Sequence, residues 1–176
     1  MFLTRFFRKK ALHKYCSQIP TSILPISKAS TAIAFIDVQD PSFNECKISL
    51  MNFFKEHKIK GEIFFFDLRR IGKGERLITS VTNTILRRDL NWYGRPSAEK
   101  LALLDNLPES DLLFYLMDDD SFTTEFTVRY CKAKCKVGRL NMANGLFDIV
   151  VSDPSDKNLS EAESFEAIKA ILEKIK

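Results

Sequence analysis

The chain has 176 residues, 45% of them hydrophobic and 15 of them Phe, and a net charge of +4. That is enough apolar surface for one domain with a full core, and no apolar run reaches the roughly 18 residues of a membrane span. The charge is uneven: Arg5, Arg8, Lys9, Lys10, Lys14 and Lys28 precede Asp37 with no acid among them, which leaves 21 of the 27 basic residues against all 23 acids, a body near −2. A body of that charge is no basic platform for nucleic acid, so none is expected as a partner, and attraction to anions belongs to the N-terminal arm.

Residues 1–18 read as a basic amphipathic helix. Phe2, Leu3, Phe6, Phe7, Ala11, Leu12 and Tyr15 recur at helical spacing, with Arg5, Arg8, Lys9, Lys10 and Lys14 between them. The charges interrupt any continuous apolar stretch, so the segment is no secretory signal. Two uses fit it. It can lie on an anionic membrane surface, with Phe2, Arg5, Phe6, Arg8, Lys9 and Lys10 as contacts, or its Phe face can pack on the domain or a partner while the charges stay solvated. Residues 19–30, with Pro20 and Pro25, read as a linker, and residues 31–176 as a single α/β domain.

Thr31 to Val38, TAIAFIDV, is a first strand. Asp40-Pro41 predicts a helix start, with Asp40 as cap, and Ser42 and Glu45 have capping-box spacing. The helix carries Ile48, Leu50, Met51, Phe53 and Phe54, and Glu62 to Leu68, EIFFFDL, is a second strand. Together they form a βαβ unit, whose crossover is right-handed almost without exception. The following IGKGERL has two glycines but lacks the Gly-Lys-Ser/Thr ending of a phosphate loop. Val81 to Arg88 is a candidate third strand. Asn91 to Pro96, NWYGRP, is a turn holding the only Trp. Trp92 and Tyr93 are candidate ligand-stacking residues, or else they cover the edge of a core. Ser97 to Asn106 is a short helix.

Leu112 to Met117 is too short for a helix and shows no alternation, which predicts a buried parallel strand. Asp118, Asp119 and Asp120 follow it, and Ser121 opens a helix with Phe122, Phe126 and Tyr130. That pattern puts Cys131 and Cys135 on one helix face, with Lys132, Lys134, Lys136 and Arg139 crowding the end. Cys135 to Val137 can also pair as a short strand. Leu146 to Val151, LFDIVV, reads as another buried strand. Ser160 and Glu163 have capping-box spacing before a final helix carrying Phe165, Ile168, Ile171, Leu172 and Ile175.

The order of elements predicts a three-layer, Rossmann-like α/β domain, with a mostly parallel sheet of about five strands and helices on both faces. In such sheets ligands bind beyond the carboxyl ends of the strands, where strand order reverses. Asp37, Asp67, the Asp118–Asp120 run and Asp153 all stand at strand ends. Asp37, Asp67 and Asp118 are the candidate catalytic residues, able to hold a divalent metal or to act as a general base. The same acids can serve instead as helix caps. Cys16, Cys46, Cys131 and Cys135 fit no disulfide scaffold and point to a reducing, cytoplasmic setting. Neither His13 nor His57 has a ligand-like neighbour, so no metal site and no cofactor is assigned. No Gly-x-Ser-x-Gly elbow and no Gly-x-Gly-x-x-Gly fingerprint occurs.

The strand, acidic loop and helix of Asp111 to Arg139 end in KAKCKVGR, with LFDIVV beyond and DLNWYGRP at Asp89 to Pro96. With the basic, Phe-rich start, these resemble a family of short Bacteroidota proteins known only as a domain of unknown function. That likeness covers nearly the whole chain and implies no activity. The strand, helix and KVGR turn also resemble, over about 30 residues, the acceptor-binding half of heptosyltransferase-type glycosyltransferases, which implies shared architecture without transferase activity. The expected function is a non-catalytic cytoplasmic binding or scaffold module, peripheral to the inner membrane through residues 1–18. The alternative is a small metal-dependent enzyme or ligand-binding protein working at the carboxyl edge.

Overall fold

A computed structural model describes residues 2–70, 72, 74–76, 79, 80, 82–142, 145–152 and 159–176. The chain runs α1 (Phe2–Tyr15), β1 (Thr31–Asp37), α2 (Phe43–Glu56), β2 (Lys60–Asp67), β3 (Thr84–Leu86), α3 (Ala98–Asp105), β4 (Ser110–Tyr115), α4 (Phe122–Tyr130), β5 (Ala133–Gly138), β6 (Ile149–Val150) and α5 (Glu161–Leu172). The strands form one six-stranded sheet in the order β3-β2-β1-β4-β5-β6, with every neighbouring pair parallel. β1 pairs with β2 on one side and β4 on the other, so strand order reverses at the tips of β1 and β4.

β1 shows why the apolar runs fold this way. Its side chains alternate across the sheet. Ala34 and Ile36 pack with Leu50 and Phe53 of α2 and with Phe165 of α5. Ile33 and Phe35 pack with Leu101 of α3, Phe126 of α4 and Ala11 of α1. A strand covered by helices on both faces must be apolar at nearly every position, and TAIAFID and LLFY are.

The sheet is the parallel one expected, with six strands for about five. The structure departs from the sequence reading in three places. The run Leu146 to Val151 contributes only the two-residue edge strand β6, whose Val150 is exposed. α4 stops at Tyr130: Cys131 is its extended C-cap, and Ala133–Gly138 pair with β4 as β5. Cys131 and Cys135 therefore do not share a helix face, and Lys132, Lys134 and Lys136 alternate along and before a strand. Thr123, Thr124, Thr127 and Val128 give α4 little intrinsic helix preference, and pairing with β4 captures the residues beyond it. α2 is capped at Ser42, not at Asp40. Asp40 Oδ1 instead accepts from the Ser42 amide at 2.8 Å and hydroxyl at 2.7 Å, an Asx turn that leaves Pro41 outside the helix. Val81 and Asp153 lie outside the described residues.

Candidate functional site

The tips of β1 and β4 define the first candidate region. Asp37, closing β1, is half-buried, and the Gln39 amide donates to its Oδ1 at 2.9 Å. Burial pushes its carboxyl above the ordinary range; the Gln39 bond opposes that, and the charges of Asp119 and Asp67 add to it. Asp67, closing β2, is buried and bound in a fork by Arg69, Nε to Oδ1 at 2.7 Å and Nη2 to Oδ2 at 2.8 Å. The Arg69 bonds hold its carboxyl below the usual range against the opposing effect of burial. Asp118 is exposed on the loop after β4. Asp119 gives both oxygens to Ser121, at 2.8 Å to the amide and 2.9 Å to the hydroxyl, which fixes the start of α4. Asp37 thus lies within electrostatic reach of both Asp67 and Asp119, whereas Asp118 is turned to solvent as an exposed residue. Among the described residues no group of three His, Cys, Asp or Glu side chains is placed to hold a metal ion.

Two further residues occupy this rim. Glu161 opens α5 and is fully buried. Its Oε1 accepts the Asp37 amide at 2.6 Å, and its Oε2 has no hydrogen-bond partner. Burial drives its carboxyl up to about 9; the Asp37 amide and Arg139 oppose this, while Asp40 and Asp37 reinforce it. It therefore holds a proton at neutral pH. Arg139, also buried, donates to the Leu116 carbonyl at 3.2 Å and to the Leu159 carbonyl, and lies 3.8 Å from Asp40 Oδ2. The first amides of α5 go to Asp40 Oδ2 at 3.2 Å and Ser42 Oγ at 3.0 Å. The chain's own groups thus fill the place where a doubly wound sheet would offer helix amides to a ligand. The capping box of Ser160 and Glu163 was visible in sequence. Nothing local marked Glu161, between them, as a buried neutral acid.

The second candidate region is the aromatic turn and the arm. Asn91 Oδ1 accepts from the amides of Tyr93 at 3.2 Å and Arg95 at 2.9 Å. Gly94 takes φ +95°, a conformation that favours glycine, and a Cβ there would meet Thr123 Oγ1 at 3.2 Å. α1 lands on this turn. Phe7 stacks on Tyr93 at 5.9 Å between centroids and meets Trp92 edge-on at 5.2 Å. Arg8 Nε donates to the Tyr93 carbonyl at 2.8 Å, and its guanidinium lies 4.9 Å over the Phe122 ring. Ala11 is buried beneath the helix.

The opposite side of α1 stays free. Phe2, Leu3 and Phe6 are 87%, 64% and 56% exposed, and Arg5, Lys9, Lys10 and Lys14 are exposed beside them. Trp92 is 64% exposed while Tyr93 is half-buried. Of the residues proposed for membrane contact, Arg8 is turned inward and the other five face outward. Both uses read from the sequence are thus available at once, one on each face of the helix. No described helix is long and apolar enough to cross a membrane.

Comparison with curated proteins and with solved structures gives no match. One family does match, over residues 4–175, which takes in the arm, the sheet and the last helix, and the chain belongs to it: the family of unknown function DUF6913.

Proposed function

We propose that the protein is a non-catalytic binding module of the bacterial cytoplasm, as its likeness to Bacteroidota proteins suggests. It attaches reversibly to an anionic lipid surface through the outer face of α1 and the adjoining Trp92. The observation that carries this reading is the division of α1. Phe7, Arg8 and Ala11 fasten it to the domain, which holds Phe2, Leu3 and Phe6 outward among four exposed cations, with no acid before Asp37. A pre-oriented helix avoids the ordering cost that a disordered arm would meet on binding. Each apolar side chain entering the interface contributes on the order of 1–2 kcal/mol, and each cation near an anionic surface about 1 kcal/mol. Trp92 has the amphipathic ring that favours headgroup depth. Other exposed apolar residues suit this role less well: Ile48 lines a groove between α2 and α5 together with Glu45, Glu56 and Glu166, whose charge repels an anionic surface.

The test uses the whole chain and co-sedimentation with vesicles of phosphatidylglycerol. Binding is expected at low salt and lost at high salt. Lys9→Glu with Lys10→Glu should weaken it by about 30-fold or more, from two lost cations, and Phe6→Ser should weaken it without changing its salt dependence. Equal binding by all three proteins, or none by the wild type, ends the reading.

A second reading, a ligand site at the carboxyl edge, is favoured by the raised carboxyl of Asp37 beside Asp67 and Asp119. If it holds, magnesium or manganese raises the Tm and Asp37→Asn abolishes the rise; no metal-dependent shift removes it. The heptosyltransferase likeness enters as architecture, with no transferase activity attached.

A further inference from the structure

Lys136 stands where a core residue belongs. It sits in the interior strand β5, opposite Leu113 of β4, and Leu113 belongs to the core under α1, α3 and α4. The residue is only 6% exposed. Its Nζ donates to the Val128 carbonyl of α4 at 2.9 Å. Among the described residues no carboxylate lies within ion-pair distance of that ammonium. The nearby acids are engaged elsewhere. Glu125 takes Arg129 Nε at 2.8 Å, and Asp148 takes the Thr21 hydroxyl and the Lys136 backbone amide, both at 2.7 Å. A buried ammonium without a counter-charge costs several kcal/mol, so a group that supplies the missing charge would bind with a large electrostatic gain.

There is room for such a group. A cavity of about 470 Å³ opens where the end of α1 crosses between α4 and the loop before β6, with Leu12, Cys16, Glu125, Arg129, Lys136 and Leu146 in its wall. That volume lies within the range of small-molecule sites, about 300–1,000 Å³. In its wall Arg129 is paired with Glu125, which leaves Lys136 as the cation without a counter-charge among the described residues, beside apolar surface from Leu12 and Leu146; that suits a ligand with a charged end and a carbon skeleton.

We infer that this cavity is a binding site for a small organic anion, a carboxylate or a phosphate ester, whose charged end is taken by Lys136 Nζ. Leu12 and Leu146 contact the rest of the ligand. The site lies on the inner side of α1, away from Phe2 and Phe6, and stands independently of attachment to lipid. Burial lowers the Lys136 ammonium below its ordinary range, and an anion seated on Nζ would raise it again, so ligand binding takes up protons at alkaline pH. The competing account makes Lys136 a cap for the last turn of α4, through the Val128 carbonyl and nothing more.

Three probes separate the two accounts: inorganic phosphate, succinate and glycerol 3-phosphate, each titrated against the Tm of the whole protein at ionic strength held constant with sodium chloride. At least one is expected to give a saturable rise of about 3–6 °C at about tenfold its Kd. Lys136→Met, which keeps the stem and removes the charge, should abolish the rise. Cys16→Phe should do the same by filling the cavity while Lys136 stays in place, and it decides the matter if the Met variant does not fold. No saturable rise with any of the three probes overturns the inference, as does a rise that survives in either folded variant; Lys136 is then a helix cap alone.

Discussion

Glu161 gives the sharpest stability test. Burial lifts its carboxyl from the ordinary 4.5 to about 9. Between those values the folded protein keeps a proton that the unfolded chain has released. Stability must therefore fall as pH rises through that window and level off above it. Each pH unit is worth about 1.4 kcal/mol, so the change from about pH 4.5 to about pH 7 is on the order of 3 kcal/mol. For a chain of this size that corresponds to about 6–12 °C in Tm. Glu161→Gln removes the titration, keeps an oxygen for the Asp37 amide and closely preserves shape. Chemical unfolding of both proteins across the window should give nearly equal stabilities at the acid end and a growing advantage for the variant towards neutrality. Asp37 also titrates upward, but it does so in both proteins and drops out of the difference. Parallel curves, or a variant that loses ground as pH rises, would refute the buried neutral acid.

Two other substitutions probe the sheet. Asp111 Oδ2 accepts from the amides of Ser30 at 2.8 Å and Thr31 at 3.2 Å, and its Oδ1 takes Lys134 Nζ at 2.8 Å. Burial pushes its carboxyl up, but the Lys134 bond and those from Ser30 and Thr31 outweigh this and hold it well below the usual range. That stabilisation is present above about pH 4 and is lost as pH falls towards the depressed value. Asp111→Ala should cost about 3 kcal/mol near neutrality by urea unfolding and should flatten the acid limb; an unchanged acid limb contradicts the assignment. Gly138→Ala should cost about 1–3 kcal/mol, because its Cβ would lie 2.5 Å from the Phe147 ring, which is stacked on Tyr115; an unaltered urea midpoint counts against that packing.

How much of this was legible in the sequence depends on what each residue needs from afar. β1, β2 and β4 could be read because a parallel strand covered on both faces leaves an unbroken apolar run, and their closing acids marked the rim. β5 could be read only in part, as a short strand at Cys135 to Val137, because Lys134 and Lys136 interrupt its apolar residues and it follows a helix without punctuation; the rest of its strand character comes from β4, already in place. The same blindness hid Lys136, whose burial is imposed by α1 and α4 closing over it. The amphipathic pattern of the arm left open whether it packs on the domain, and which residues would do so. Phe6 and Phe7 are neighbours with opposite fates, decided by a turn far along the chain, where the Tyr93 carbonyl captures Arg8. Asp67 looked like a free rim carboxylate, and Arg69, two residues on, takes it up.

The chain has one tryptophan, and it sits beside the arm. Its emission therefore reports directly on whether the outer face of α1 meets lipid. On adding phosphatidylglycerol vesicles at low salt, Trp92 emission should shift to the blue, be quenched by lipids brominated near the headgroup and recover in high salt, with no response to phosphatidylcholine vesicles. An emission spectrum unmoved by the anionic vesicles, or moved equally by both lipids, would contradict attachment through this face.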